Sequence, residues 1–147
     1  MKRYFVGLTL IIALSTTALA HQGASGVVKE RMEAMSEIAA NLKLVNGMLR
    51  GKTDYDAAQV TTAMEAIARH AAALPHKFPE GTEAAPSEAA PAIWEQQDAF
   101  NAIFADLTLS ATEVAALAAD KSTVAQSFSK VAKTCKACHA TFRIDRE

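Results

Sequence analysis

The sequence predicts an all-α protein whose helices form a four-helix bundle. Alanine, leucine, methionine, glutamate and lysine are plentiful after residue 25, and the alternation typical of strands is nearly absent. Apolar residues instead recur three and four positions apart in four successive stretches, as expected of helices with one buried face. Helices of roughly 20–27 residues joined by short connections favour a bundle.

The first predicted helix has apolar residues seven positions apart, at Val28, Met35, Leu42 and Leu49. Gly51 lies just beyond them, and glycine is common at a helix C-terminus because it adopts the left-handed conformation without strain. The spacing therefore predicts one long amphipathic helix that ends near Gly51.

A second helix is predicted from about Val60 to Leu74, with Asp54 or Asp56 as its N-cap. All four prolines of the chain then fall within residues 75–91, together with several glutamates. Proline interrupts a helix because it lacks the amide hydrogen and its ring clashes with the preceding turn. This segment is therefore predicted to be a linker between the second and third helices.

The aromatic and aliphatic residues of the C-terminal half predict the third and fourth helices. The third extends from Ile93 to Leu117. The fourth begins with Ser122 as its N-cap, and its inner stripe advances in steps of four and three. The residues of this stripe are Val124, Phe128, Val131, Cys135, Cys138 and Phe142.

Residues 1–20 match the pattern of a cleaved signal peptide. A positive start is followed by an apolar stretch of about ten residues and then by the small residues Ala18 and Ala20. The apolar stretch is shorter than the roughly 20 residues that cross a bilayer. We expect cleavage after Ala20, export to the periplasm, and a single domain formed by residues 21–147.

The charge of the chain gives no reason to expect a nucleic-acid partner. The formal charge is −1 for the whole chain, and it becomes −3 when Lys2 and Arg3 leave with the signal peptide. Nucleic-acid-binding domains carry a basic excess instead. No second apolar run of membrane length follows the first, so no membrane span is predicted.

The only two cysteines lie three positions apart near the C-terminus, and His139 directly follows the second. On a helix, Cys135 and Cys138 share one face, and His139 lies on the same side one turn after Cys135. Two thiols at this spacing can reach the two vinyl groups of one porphyrin, and the adjacent imidazole can bind its iron. The motif predicts one haem c, attached through Cys135 and Cys138, with His139 as the proximal iron ligand.

Three other chemistries fit this motif less well. A redox dithiol lies at a helix N-terminus, where the helix dipole lowers a thiol pKa, whereas here the helix is ending. A structural zinc site needs four ligands, and His21, His70 and His76 have no spacing that supports one. A disulfide across so short a loop would stabilise the fold only slightly.

The chain resembles the class II cytochromes c, of which cytochrome c′ is the best known member. The resemblance rests on the CxxCH motif in the last helix, on the pair Ile93-Trp94 followed by Phe100, and on the opening segment 27–35. It covers residues 25–147 and implies a four-helix bundle with one covalent haem.

In that family the first helix supplies the residue facing the open side of the haem, four positions after an arginine. These positions are occupied here by Arg31 and Met35. The resemblance implies that Met35 is the distal iron ligand, as in a low-spin branch of the family, and its soft thioether suits haem iron. Arg31 falls on the predicted inner face, where a haem propionate would be a suitable partner for its charge.

Several alternatives remain open at these positions. Met35 could simply fill the core while Arg31 extends to water, and Met32 is the nearest other ligand, about 60° around the helix. Arg143 could bind a propionate or complement the helix C-terminus.

The basic residues of the last helix also allow two interpretations. They could form a docking face for an acidic redox partner or a solvated helix flank. These residues are Lys130, Lys133, Lys136, Arg143 and Arg146.

These expectations describe an exported mono-haem cytochrome that carries single electrons, with His139 and Met35 as the axial iron ligands. Its partner would be another redox protein, and the chain would be a monomer or a homodimer. No nucleophile, general acid or substrate pocket is indicated, so no enzyme is predicted. The alternative is a high-spin protein of the cytochrome c′ type that binds nitric oxide or carbon monoxide at an open distal face.

Overall fold

The computed structural model describes residues 23–84 and 86–144, and the predicted signal peptide lies outside them. The described residues form helices and one isolated β-bridge, which confirms the predicted all-α class. The helices are α1 (Gly26–Leu49), α2 (Ala57–Ala73), a 3₁₀ helix (Leu74–Lys77), α3 (Ala92–Glu95), α4 (Gln97–Ala116) and α5 (Lys121–Phe142).

α1 and α2 are antiparallel. The first half of α1 lies beside the end of α2 and the 3₁₀ helix that follows it. Glu37 Oε2 on α1 lies 2.6 Å from His70 Nε2 on α2. About two turns earlier in α1, Glu30 Oε2 lies 2.5 Å from Lys77 Nζ in the 3₁₀ helix that follows α2.

The remaining two helix pairs are antiparallel as well. Tyr55, just before α2, donates its hydroxyl to the Ala118 carbonyl oxygen, just after α4, at 2.7 Å. The rings of Phe100 near the start of α4 and Phe142 at the end of α5 have centroids 5.2 Å apart. The four long helices therefore alternate in direction, as in the predicted bundle.

The apolar side chains of the inner helix faces form the core. Met48 and Met64 are at most 2% exposed and belong to this core. Around Phe100, three further rings pack edge to face, and such contacts add to the stability gained from burial alone. The rings of this cluster belong to Phe78, Phe100, Phe104 and Phe142.

The end of α1 and the start of α2 agree with the prediction. Gly51 follows α1 with φ of 68°, the left-handed conformation that glycine adopts without a steric penalty. Asp56 caps α2, and its carboxylate accepts the amide hydrogens of Ala58 and Gln59 at 2.9 and 3.0 Å.

Two other helix boundaries differ from the prediction. The cap of α5 is Asp120 rather than Ser122, because the Asp120 carboxylate accepts the amide hydrogens of Ser122 and Thr123 at 2.8 and 3.4 Å. The third predicted helix is divided into α3 and α4, because Gln96 has φ of −128° and ψ of 47°, outside the helical range.

The bundle is left open between its first and last helices. α2 packs against both α1 and α4, and α4 packs against α5, but α1 and α5 do not pack closely against each other. The linker, residues 78–91, crosses one end of this gap on its way to α3. Within the described part of the chain, no helix has the length and apolar character that a membrane crossing requires.

Candidate haem site

Two adjoining cavities lie in the gap between α1 and α5. The larger has a volume of about 410 Å³ and is also bordered by the linker. The smaller, of about 110 Å³, is bordered by α1, α4 and α5. Four residues line both cavities, and they are Met35 and Ala39 on α1 and Cys138 and His139 on α5.

The larger cavity is lined mainly by apolar side chains, and its charged residues gather where the linker crosses. Arg31 contacts the linker from α1, and Arg143 lies beside Glu88 of the linker. An apolar cavity with cationic groups at one end suits a flat apolar macrocycle that carries two carboxylates on one edge.

α5 directs the CxxCH motif towards these cavities. Cys138 lines both, Cys135 lines the smaller one, and neither cysteine forms a disulfide. His139 lines both cavities, and its Nδ1 lies 3.5 Å from Arg143 Nη1. The structure thus brings the two thiols and the imidazole together on the side of α5 that faces the gap.

The environment of the motif raises the pKa of both thiols. Burial raises the pKa of the Cys135 thiol. Burial, together with the nearby Cys135, raises the pKa of the Cys138 thiol to about 11. A redox dithiol needs the opposite shift, because the thiolate is the attacking group, so this environment does not favour disulfide exchange.

Metal binding by side chains alone finds no support in the geometry either. Within residues 23–84 and 86–144, no three His, Cys, Asp or Glu side chains are grouped so that they could hold a metal ion. His21, one of the three histidines weighed for zinc, lies outside the described residues.

Met35 faces the motif across the gap. Its side chain is half-buried and lines both cavities, opposite His139. Met32 is also half-buried but lines only the larger cavity. Of the two methionines considered as iron ligands, Met35 is therefore the one that shares both cavities with His139.

Arg31 lies on the inner face of α1, as predicted, and is only 4% exposed. Its guanidinium donates to Thr82 Oγ1 at 3.0 Å and to the Thr82 carbonyl oxygen and Ser87 Oγ. Burial lowers the pKa of Arg31 below its ordinary value, and the negative charge of Glu83 partly offsets this. No carboxylate among the described residues lies within ion-pair distance of this buried cation.

Arg143 is placed differently, at the exposed end of α5. Its Nε lies 4.0 Å from Glu88 Oε2, and its Nη1 contacts the His139 ring. The residue lines the larger cavity, so it can approach a carboxylate bound there while it also borders the imidazole.

The basic residues of α5 lie on its solvent side. The helix contains four lysines and neither aspartate nor glutamate. Lys130, Lys133 and Lys136 are exposed, and none forms an ion pair with a described residue. Arg146 lies outside the described residues.

These features define the class of the protein as a four-helix-bundle cytochrome of the c type. The chain belongs to the cytochrome c′ family, whose model matches residues 26–143. As a member of this family it carries one covalently attached haem c.

Relatives match the chain over most of their length. A cytochrome c-556 of Agrobacterium tumefaciens (strain II Chrys) is 36% identical over 123 residues, which cover 83% of this chain and 100% of the relative. The solved structure of cytochrome c′ from Rhodopseudomonas palustris has a TM-score of 0.79 and 28% identity, and the match covers 84% of this chain and 100% of that one.

A third match comes from Alcaligenes xylosoxidans. The solved structure of a ferrous cytochrome c′ variant with bound nitric oxide has a TM-score of 0.74 and 26% identity. The match covers 82% of this chain and 94% of that chain. Both c-556 and c′ proteins are thus among the relatives.

The linker residues that contact Arg31 were not predicted from the sequence. Thr82 and Ser87 are 51 and 56 positions from it in the chain, and Ser87 is fully buried. The prolines predict a loop here, but residue type and spacing do not reveal which helix a loop residue contacts.

Proposed function

We propose that the chain is an exported electron-transfer cytochrome in which His139 and Met35 are the two axial iron ligands. Cys135 and Cys138 hold the haem through thioether bonds. The observation that carries this proposal is that Met35 on α1 and His139 on α5 line the same two cavities from opposite sides of the gap.

Haem supplies an iron centre that can take up and give back one electron. An imidazole and a thioether together form a strong ligand field, which keeps the iron low-spin in both oxidation states, so little rearrangement accompanies each transfer. Met35 favours the reduced state because its sulfur is a soft ligand, and the apolar walls of the gap act in the same direction.

Arg31 and Arg143 are proposed to bind the haem propionates. Arg31 supports this role because it is buried without a carboxylate partner among the described residues, which is costly for a charge. A propionate would satisfy it through charge-assisted hydrogen bonds. Arg143 is more exposed, so a contact from it would contribute less.

The location and partner of the protein follow from the same proposal. Residues 1–20 direct export to the periplasm, and the covalent bonds prevent loss of the haem there. The chain exchanges electrons with another redox protein and catalyses no reaction of its own. The domain comprises residues 21–147, as a monomer or a homodimer.

A second candidate function is the binding of nitric oxide or carbon monoxide at the distal side. The relative with bound nitric oxide, together with the other cytochrome c′ relatives, supports this candidate. In this version Met35 does not bind the iron or is readily displaced, and the larger cavity beside it accommodates the gas.

An absorption spectrum of the haem-loaded protein distinguishes the two functions. Methionine ligation predicts a low-spin ferric spectrum with the weak far-red band of iron–thioether bonding, and slow binding of carbon monoxide after reduction. A high-spin ferric spectrum with immediate carbon monoxide binding would instead establish the gas-binding candidate. A protein without haem after expression with a haem-attachment system would contradict both.

A further inference from the structure

The linker, which connects the 3₁₀ helix to α3 in the chain, contacts both α1 and α5. These two helices carry the proposed iron ligands and do not pack closely against each other. We call the linker residues 78–91 the strap; all of them except residue 85 are described. Phe78, Glu88 and Ala89 of the strap line the larger cavity, so the strap forms one of its walls.

At its α1 end the strap is fastened by Arg31. The guanidinium donates to the Thr82 hydroxyl at 3.0 Å, to the Thr82 carbonyl oxygen and to the Ser87 hydroxyl, and it lies 4.8 Å from the centroid of the Phe78 ring. Thr82 in turn donates to the Pro79 carbonyl oxygen at 2.7 Å. Hydrogen bonds to a buried charge are the stronger kind, so these contacts fix Arg31 and the strap to each other.

At its other end the strap is fastened to the last turn of α5 by main-chain hydrogen bonds. The Ala90 amide donates to the Phe142 carbonyl oxygen at 3.1 Å, and the Ile144 amide donates to the Glu88 carbonyl oxygen at 2.8 Å. Ala89 and Arg143 form an isolated antiparallel bridge at the same place. Ser87 connects the two ends, because its hydroxyl also accepts the Ala89 amide hydrogen at 3.1 Å.

These fastenings lie within about one turn of the proposed ligands. Met35 follows Arg31 by four residues, and His139 precedes Phe142 by three. We infer that Thr82 and Ser87 are positioning residues, which act through Arg31 to hold α1 at the distance from α5 at which Met35 can bind the iron. This inference rests on the proposed His139 and Met35 ligation.

Thr82 and Ser87 suit a test because neither lines either of the two cavities between α1 and α5. Arg31 does line the larger cavity, and a change there would combine loss of the strap contact with loss of a propionate contact. The test therefore uses Thr82→Val and Ser87→Ala in the haem-loaded protein, with Thr82→Ser as the conservative variant that keeps the hydroxyl. Thr112→Val is the matched control, since the Thr112 hydroxyl is exposed and bonds only within α4.

Imidazole is the probe, because it competes with Met35 for the iron and its binding can be titrated by absorbance. When the strap is loosened, the state in which Met35 is bound becomes less favoured, and imidazole binds more tightly in proportion. We expect about tenfold tighter binding for Thr82→Val and for Ser87→Ala, which corresponds to about 1.4 kcal/mol. Thr82→Ser and Thr112→Val should bind imidazole like the unchanged protein.

Hydrogen exchange supplies a readout that does not depend on the iron. Amides at the beginning of α1 should exchange faster in Thr82→Val and Ser87→Ala, while those of α4 should be unchanged. If Thr82→Val does not fold, Ser87→Ala alone decides the question, since it removes only one oxygen atom.

The two failures can be told apart. Absence of the iron–thioether band in the unchanged protein would refute the ligation. Presence of that band, together with unchanged imidazole affinity and unchanged α1 exchange in both hydroxyl-deleted variants, would overturn the positioning role of the strap and leave the ligation standing.

Discussion

At the scale of single residues, the proposed function depends most on Met35. It lies one turn beyond the buried Arg31, and with His139 it borders both cavities of the gap. Met32 provides a natural comparison, because it is the same residue type on the same helix but borders only the larger cavity.

Replacing Met35 by alanine should therefore convert the ferric protein from low to high spin. The reduced variant should bind carbon monoxide about tenfold more tightly or better, because the gas no longer has to displace a ligand. Absorption spectra of both oxidation states, with and without carbon monoxide, measure this change. Met32→Ala is the control and should keep the spectrum of the unchanged protein; the reverse pattern would assign the distal position to Met32.

The thiols allow a prediction about pH in the protein without haem. The pKa of Cys138 is raised from its ordinary 9.0 to about 11, so the folded state holds its proton more tightly than the unfolded chain does. The stability contributed by the protonated thiol is complete below pH 9 and is lost as the pH rises through 11. Urea unfolding of the apoprotein between these pH values measures the loss. In Cys138→Ala the pH dependence should decrease to the part due to Cys135, whose pKa burial also raises. An undiminished pH dependence would show that Cys138 does not cause it.

Single residues were predictable where a spacing rule applies to them. The CxxCH motif combines three functional groups within five residues, and the spacing of apolar residues in the first helix places Arg31 on its inner face. The role expected of Met35 came instead from the resemblance to the class II cytochromes c. Thr82 and Ser87 obey no such rule. They contact Arg31 only because the strap folds back across α1, and that path depends on the whole bundle.

At the scale of helices, the stability of α5 depends on the N-cap residue Asp120. Asp120 accepts hydrogen bonds from the side chains and amides of Ser122 and Thr123. These hydrogen bonds lower the pKa of Asp120 to about 2. The charged carboxylate is thus the form that stabilises the first turn of the helix that carries the CxxCH motif.

Asp120→Ala should lower the thermal unfolding midpoint by a few degrees at neutral pH, because two amide hydrogens lose their acceptor. The difference in unfolding midpoint between Asp120→Ala and the unchanged protein should be largest above pH 3.8. It should shrink as the pH falls through 2, where the carboxylate becomes protonated. Circular dichroism melts across this pH range measure it. Asp98→Ala, in the first turn of α4, serves as the control; an equal effect there would contradict a specific capping role.

Helix identity was predictable from periodicity, whereas helix ends were predictable only in part. Asp56 and Gly51 lie at boundaries where residue type and position agree. At the start of α5, both Asp120 and Ser122 are good capping residues, and only the backbone conformation selects Asp120. Residue 96 is neither glycine nor proline, and the apolar spacing continues across it. Periodicity therefore does not predict the helix break at Gln96.

At the scale of the whole molecule, charge is unevenly distributed over the bundle. α5 has four lysines and no acidic residue, whereas α4 has three acidic residues and no lysine or arginine. Lys130, Lys133 and Lys136 are spaced three apart, and the next step along this row is His139. A row of positive charge therefore leads along the surface towards the proposed iron ligand.

Reversing two of these lysine charges tests whether the row lies near the surface through which the haem exchanges electrons. Lys133→Glu combined with Lys136→Glu should slow oxidation of the reduced protein by ferricyanide by about tenfold at low salt, because the reagent is an anion. The effect should shrink as ionic strength rises. Stopped-flow absorbance measures both rates. Lys52→Glu with Arg69→Glu changes the net charge equally, elsewhere on the molecule; an equal slowing would mean that the lysine row is only a solvated flank.

The proposed function depends on one feature of the whole molecule, the open gap between α1 and α5. Periodicity predicts four helices and their inner faces, but not which neighbouring pair remains apart. The strap that crosses this gap is held by contacts between residues far apart in the chain, which periodicity does not reveal.

Near-infrared magnetic circular dichroism of the ferric haem-loaded protein tests the central claim most directly, because the position of its charge-transfer band identifies the axial ligand pair. Ligation by His139 and Met35 predicts a low-spin spectrum with the band of histidine–methionine ligation, and loss of that band in Met35→Ala. A high-spin spectrum, or a low-spin spectrum that persists unchanged in Met35→Ala, would contradict it.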